Sequence, residues 1–282
     1  MDQKPQNPLS KHFRQPAIYA KLPSGGRFWP DNTLDLPVTG EVAFYPMTAR
    51  DEITIRTPDA LLNGQGVVDV IHSCCPNIKD AWQMPSIDVD AVLLNIRIAS
   101  YGNSMDFDTT CPKCNEESSF SLDIGTLTGQ IKMPNYDNAI EIEGLQIKLK
   151  PQPYFEVNRV SQLSFTEQQI LRTINDSTLT DEEKKSKSDA YLKKLVDLNI
   201  DICVNSTQSI TTEDGTVVSD LGYIKEFYDL ADFKIMRTIQ ARLNEINTQA
   251  SLQPIDITCK GCTNEYSMPL SFDYANFFDR GF

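Results

Sequence analysis

Histidine is scarce in this sequence, which has only His12 and His72 among 282 residues. Imidazole is the side chain that enzymes use most often as a general base, so its scarcity argues against much acid–base chemistry. The motifs H-E-x-x-H, G-x-x-x-x-G-K-[ST] and G-x-S-x-G do not occur in the sequence either. Neighbouring carboxylates fit the solvated faces of helices, and the pairs are Asp51 with Glu52, Asp88 with Asp90, and Glu182 with Glu183. Asp51 also lies three residues after Thr48, as in a capping box that opens a helix. We therefore predict that the protein is not an enzyme.

The sequence also lacks long apolar runs and an excess of positive charge. No apolar run approaches the roughly 20 residues of a membrane helix, and the polar start shows no signal-peptide pattern. There are 26 Lys and Arg against 39 Asp and Glu, which gives a net charge of −13. The densest basic stretch, 184–187, directly follows three acidic residues and is interpreted as a solvated helix face. We predict a protein of the reducing cytoplasm, without a membrane or nucleic-acid partner.

Four of the seven cysteines form two matching C-x-x-C motifs, at 111–114 and 259–262. In each motif Thr directly precedes the first Cys, Asp lies three residues before it, and Glu lies three residues after the second Cys. Apolar residues alternate with polar ones after both motifs, which predicts a strand leaving each of them. Two cysteine turns with strands are typical of a zinc ribbon, in which four thiolates surround one tetrahedral Zn²⁺.

Two alternatives to a shared zinc site remain open. A redox pair usually precedes a helix rather than a strand, which disfavours redox chemistry here. In the second alternative each motif holds its own metal, because 144 residues separate the two motifs, but neither motif has a histidine near it to complete a separate site. A site with four thiolates is closed to water and therefore structural. The predicted ligands of one Zn²⁺ are Cys111, Cys114, Cys259 and Cys262.

Periodicity predicts an α+β fold in which helices alternate with short β-hairpins. Hairpins are predicted over 34–45, over 139–149 with a turn at Glu143-Gly144, and over 210–218. Long helices over 86–101 and 233–246 precede the two cysteine motifs, so the order hairpin, helices, long helix, cysteine turn and strand occurs twice. We interpret this as an internal duplication. The predicted divisions are a flexible N-terminal arm over 1–16, a first α+β half over 17–130, and a second half over 131–282 that carries insertions and an aromatic tail.

The aromatic residues near the two ends of the chain have two possible roles, and the remaining cysteines have one. Phe28 and Trp29 follow a Ser-Gly-Gly turn and either bind a partner or pack on the core. The aromatic C-terminal tail presents the same choice. The remaining cysteines lie in apolar helical patterns and are predicted to be buried: Cys74, Cys75 and Cys203.

Motifs in the first half carry a family resemblance. The segments 21–28, 44–52 and 57–64, together with the aliphatic helix before Cys111, resemble the baseplate protein family of T-even-like contractile-tailed phages. That family includes the baseplate hub subunit and hub assembly proteins, and the resemblance is clearest over residues 18–125. It implies a structural protein of the virion tail baseplate that is assembled in the host cytoplasm. The implied partners are other baseplate proteins and further copies of the chain around the tail axis. The alternative is a zinc-ribbon protein that binds nucleic acid or acts in transcription.

Overall fold

The computed structural model describes residues 7–57, 64–163 and 180–268, together with Phe278. Helices and short antiparallel sheets alternate along these residues, which confirms the α+β prediction. None of the helices in these ranges combines the length and the apolar character that crossing a bilayer requires.

The regular elements within the described ranges form four antiparallel sheets with helices between them. The strands are β1 (Ile18–Lys21), β2 (Glu41–Phe44), β3 (Ser104–Thr110), β4 (Glu117–Asp123), β5 (Ile140–Ile142), β6 (Leu145–Leu149), β7 (Thr207–Thr211), β8 (Val217–Val218), β9 (Ile255–Thr258) and β10 (Glu265–Met268). The helices are α1 (Ala49–Ile55), α2 (Gln65–Cys74), α3 (Ser86–Tyr101), α4 (Gly125–Thr128), α5 (Asp181–Asn205), α6 (Leu221–Leu230) and α7 (Phe233–Ala250). Residues 154–163 are helical as well.

The first hydrophobic core surrounds α3. Apolar residues occupy nearly the whole circumference of this helix, so it packs on several sides, against β1, β2, α2 and α4. The helix ends at Gly102, whose φ of 84° is a conformation that costs glycine little. The helix agrees with the periodicity of the sequence, and Gly102 is the glycine at which the sequence predicts its end.

The prediction of a hairpin over 34–45 is wrong. Strand β2 pairs with β1 instead, and Ile18 lies opposite Phe44. The segment before β2 bonds to a different part of the chain, since the backbone N–H of Asp35 donates a hydrogen bond to the carbonyl of Asn77 over 2.8 Å. The turn at Gly40 does form, but it leads into β2 from a loop rather than from a strand.

The N-terminal arm is anchored at its end by Arg14. The guanidinium donates to the carbonyls of Pro46 and Ser73, at 2.7 and 2.6 Å, and lies 3.4 Å from the carboxylate of Asp51. Asp51 also closes the capping box of α1 with Thr48, as expected from the sequence. It is buried, so the expectation that it lies on a solvated helix face is wrong. The boundary predicted at residue 16 stays a prediction, and residues 1–6 lie outside the described ranges.

The second core lies under the four-stranded sheet, which has the order β5-β6-β7-β8. The predicted hairpins over 139–149 and 210–218 are confirmed as β5–β6 and β7–β8. Helices α6 and α7 cover the sheet, and the buried hydroxyl of Tyr228 lies 2.8 Å from that of Thr207.

Each hydrophobic core contains residues from both sides of the boundary predicted at residue 130. Tyr154, Leu252 and Phe278 lie in the first cluster, whereas Ile87 lies in the second and Phe28 packs against it. The division into halves therefore stays a prediction about the sequence. Three further features predicted from the sequence lie outside the described residues. They are a helix that opens at Pro58 and stops at Asn63-Gly64, the part before residue 180 of an insertion around 177–188, and the tail aromatics Phe272, Tyr274, Phe277 and Phe282.

A buried carboxylate, Asp88, ties the loop after β1 to α3, so the expectation that Asp88 lies on a solvated helix face is wrong. Asp88 is completely buried and accepts hydrogen bonds from the backbone N–H and the hydroxyl of Ser24, at 2.8 and 2.5 Å, and from the indole N–H of Trp29 at 2.8 Å. Burial raises the pKa of Asp88, and these hydrogen bonds only partly oppose it. Phe28 meets the ring of Tyr136 edge-on at 5.4 Å. Of the two roles considered for these aromatics, packing on the core is the one that the contacts support.

We expect Trp29→Phe to destabilise the fold, because it removes a hydrogen-bond donor from a buried carboxylate. Hydrogen bonds to charged groups contribute about 1.5–3 kcal/mol, so the free energy of unfolding should fall by about that much. Denaturant unfolding measures the change. Trp82→Phe is the matched control, since Trp82 is held by stacking on Tyr154 at 5.5 Å. Equal losses in the two variants would contradict the role assigned to the Trp29–Asp88 bond.

Candidate metal centre

Each cysteine motif forms the turn of a two-stranded hairpin. Strands β3 and β4 flank the first turn with Thr110 opposite Glu117, and β9 and β10 flank the second with Thr258 opposite Glu265. Both members of the second pair lie 148 positions after those of the first, as do the cysteines. The strands that enter the turns, β3 and β9, were not predicted.

The two turns have the same pattern of backbone hydrogen bonds. The N–H of Cys111 donates to the carbonyl of Glu116, and the N–H of Cys259 donates to that of Asn264, over 2.9 Å in both turns. Each turn contains one residue with positive φ at the same relative position, Asn115 at 59° and Thr263 at 54°. This conformation is uncommon for a β-branched residue such as Thr, so the turn geometry is kept at some cost in backbone strain.

The hairpins bring all four predicted ligands together. The sulfur of Cys111 lies 3.8 Å from that of Cys262, and the sulfur of Cys114 lies 3.6 Å from that of Cys259. All four sulfurs lie within 4.8 Å of one another. Tetrahedral zinc with Zn–S bonds of about 2.3 Å requires S···S distances of about 3.8 Å. The cluster is therefore close enough to hold one metal ion, and its spacing suits a tetrahedral thiolate site.

The surroundings of the sulfurs favour the thiolate form at Cys111 but not at Cys114. A backbone hydrogen bond at Glu116 lowers the pKa of Cys114, but the neighbouring sulfurs and desolvation outweigh it and raise that pKa to about 12. Cys111 and Cys259 are buried, whereas Cys114 is exposed at the rim. Desolvation opposes ionisation of Cys111, but hydrogen bonds from the backbone N–H groups of Cys114 and Lys113 outweigh it and lower the pKa of Cys111 to about 6.

Contacts besides the cysteines also join the two turns. The ammonium of Lys260 donates to the carbonyl of Ser119 over 2.6 Å and lies 4.8 Å from the ring centre of Phe120. The carboxylate of Glu116 occupies the space next to Gly261 where a side chain would stand. Sequence reasoning missed these residues, because a lysine and a glycine inside a cysteine turn do not indicate which distant strand they will meet.

The other thiols and the histidines of the described residues belong to different surroundings. Cys74, Cys75 and Cys203 are buried as predicted, and burial raises their pKa values to about 12, 12 and 11. The Nε2 atom of His72 accepts a hydrogen bond from the backbone N–H of Ala81 at 3.0 Å. His72 therefore acts as a structural acceptor away from the sulfur cluster.

Comparison with known proteins gave one match. A protein-family model described as T4 bacteriophage base plate protein matches residues 18–279, which include both cysteine turns and nearly all of the chain. No curated protein and no solved structure matched.

We expect the purified protein to contain one metal ion per chain, because four sulfurs at these distances form a single ligand set. Elemental analysis under reducing conditions measures this number. Cys262→Ser should lower the metal content strongly, since it removes one of four ligands. Cys203→Ala is the control and should leave the content unchanged, because Cys203 is buried in the second core. Two metal ions per chain, or none, would contradict a shared site.

Proposed function

Because the chain belongs to the family of T4 bacteriophage base plate proteins, we propose that it is a structural and assembly protein of a contractile phage tail baseplate. The observation that carries this proposal is the family match over residues 18–279. The protein acts through contacts with other tail proteins and with further copies of itself around the tail axis. It is made in the host cytoplasm and enters the virion tail, with a position at or near the baseplate hub.

The candidate metal centre supports a structural role. Four thiolates fill a tetrahedral coordination sphere and leave no position for the water or substrate that a catalytic metal needs. We assign the ion as Zn²⁺, since a tetrahedral set of four thiolates suits zinc and this ion has no redox chemistry to control. The predicted ligands are those that the fold brings together, Cys111, Cys114, Cys259 and Cys262.

The metal acts on two hairpins that need support. An isolated two-stranded hairpin is marginally stable in water, and β3–β4 and β9–β10 are separate two-stranded sheets. Each leads out of the long helix before it, α3 or α7. The thiolates bind the hairpins tip to tip, so the metal completes a small unit to which both halves of the sequence contribute.

An internal duplication accounts for this symmetry. The matching registers, the matching turn hydrogen bonds and the two residues with positive φ all occur at one offset of 148 positions. In this proposal the units α3–β3–β4 and α7–β9–β10 descend from one element, and the metal lies between its two copies.

The charge of the hairpins favours protein partners over nucleic acid. Their exposed faces carry acidic side chains at alternate positions, which phosphate groups would repel. These residues are Asp106, Asp108, Glu117, Asp123, Asp256 and Glu265. A zinc-ribbon that binds nucleic acid is therefore disfavoured.

Purified tails provide the test of the function. Mass spectrometry should find peptides of this chain in them, and phage whose copy of the gene carries an early stop codon should produce tails without complete baseplates in electron micrographs. A chain missing from tails, combined with normal baseplates in the stop-codon phage, would contradict both the structural and the assembly role.

Loss of the metal should loosen both hairpins together, because the shared ion holds each of them. We expect Cys259→Ser to raise hydrogen exchange in β3–β4 as well as in β9–β10. Exchange in α3 and β6–β7 should stay low, since these elements lie in the two hydrophobic cores. Thr258→Ser, at the exposed neighbouring position, is the control. Faster exchange confined to β9–β10 would show that the two cysteine pairs do not share an ion.

A further inference from the structure

The start of the chain carries a charge opposite to that of the rest. Residues 3–30 hold three lysines and two arginines and no aspartate or glutamate, in a chain whose net charge is −13. Both arginines pair with carboxylates of the same chain, Arg14 with Asp51 at 3.4 Å and Arg27 with Asp137 at 2.6 Å. The positive charge that this stretch can offer to another molecule is therefore that of its lysines.

The described part of the N-terminal arm combines such a lysine with exposed apolar side chains. Ser10–His12 form one 3₁₀ turn, in which the N–H of His12 donates to the carbonyl of Leu9 over 2.8 Å. Leu9 and Phe13 flank this turn and are 62% and 55% exposed. Lys11 is exposed between them, and within the described ranges its side chain takes part in no hydrogen bond or ion pair. Two large apolar side chains and a cation thus face water on one short segment.

Arg14 fixes this segment to the body of the protein. Its guanidinium donates to the carbonyls of Pro46 and Ser73, at 2.7 and 2.6 Å. Because the anchor follows Phe13 directly, an arm that docks on another molecule connects that molecule to this body across a short span.

A groove that suits the arm lies where α6 turns into α7. Phe227, Leu230 and Ile235 form its apolar lining. Leu230 is 81% exposed, and Tyr223, which also lines the groove, is 68% exposed. Contiguous exposed apolar surface of this kind marks interaction sites in soluble proteins.

Carboxylates outnumber cations around this groove. Glu143, Glu226 and Asp232 line it, and the carboxylate of Glu213 occupies the space beside the glycine that follows Glu143. The ammonium of Lys234 lies 3.1 Å from Glu143 and compensates that carboxylate. Asp232 caps α7, whereas Glu226 is exposed and forms no ion pair with any described residue. A segment that fills the groove should therefore bring apolar side chains together with positive charge.

We propose that the groove binds the N-terminal arm of a second copy of this chain, with Leu9 and Phe13 against the apolar lining and Lys11 beside Glu226. The contact rests on the proposed baseplate function and names the surfaces that would join copies around the tail axis. Leu9, Phe13 and Leu230 are all exposed within one chain, so the described part of the arm does not fill the groove of its own chain. The contact joins two different surfaces, and such head-to-tail contacts generate rings when the rotation between copies closes.

Light scattering coupled to size-exclusion chromatography tests the contact. The wild-type chain should form species larger than a monomer that grow with concentration and shrink as salt screens the charges. Leu9→Ser with Phe13→Ser, or Tyr223→Ser with Leu230→Ser, should raise the dissociation constant by about 30-fold or more, as expected for the loss of interface hot spots. Val38→Ser, at a fully exposed apolar position outside both surfaces, is the control and should associate like the wild type.

Mixing the two double variants identifies the geometry. One variant keeps its groove and the other keeps its arm. At a concentration where each is monomeric alone, an equimolar mixture should form dimers and nothing larger. Metal content and circular dichroism of every variant verify that the fold is intact.

Charge reversal tests the pairing of the arm with the rim. Lys11→Glu and Glu226→Lys should each weaken association, and combining them in one chain should restore it. Lys132→Glu is the matched control, because Lys132 is exposed outside the arm and its reversal changes the net charge by the same amount. Equal weakening by Lys11→Glu and Lys132→Glu would show that only net charge matters, which would contradict the contact.

A wild-type chain that stays monomeric at every concentration would overturn this proposal, as would double variants that associate like the wild type or a mixture that forms no dimers. A monomeric chain that is still found in purified tails would overturn the arm contact and leave the baseplate function standing. A chain that associates through the arm but is missing from tails, with normal baseplates in the stop-codon phage, would contradict the function and leave the contact standing.

Discussion

The convergence of four sulfurs is the interaction on which the hairpin architecture depends. Hairpins β3–β4 and β9–β10 are too small to be stable by themselves, and each extends from the end of a long helix. Their turns meet through Cys111, Cys114, Cys259 and Cys262, supported by Lys260 and Glu116 across the junction. Because no strand of one hairpin pairs with the other in the described sheets, the junction depends on side chains. A metal ion is the strongest bond that such a junction can contain.

The two hydrophobic cores stabilise the fold through residues from both halves of the sequence. Leu252 and Phe278 from the end of the chain lie in the first core, and Ile87 from the start of α3 lies in the second. These crossings hold the two halves together without the metal. We therefore propose that the ion fixes the geometry of the hairpin tips rather than the existence of the fold, as suits a protein whose task is to present surfaces in a fixed arrangement.

The described surface agrees with such a task. Acidic side chains alternate along the exposed faces of both hairpins, and Glu143, Glu226 and Asp232 line a groove at the α6–α7 turn. Charges at an interface determine orientation and partner choice more than affinity.

The sequence by itself determined the local elements and the four thiols that the fold brings together. Glycine turns, capping residues and periodicity were sufficient for α3, α7, the β5–β6 and β7–β8 hairpins and the capping box at Thr48, because each depends on residues close together in the chain. The two C-x-x-C motifs identified the four thiols for the same reason. Only the tertiary structure decided the long-range pairings: β2 with β1 rather than with 34–38, Trp29 with Asp88, and Lys260 with Ser119. These choices depend on which distant groups become buried together, and a periodic pattern in one segment contains no information about the hydrogen-bond partner that burial will supply.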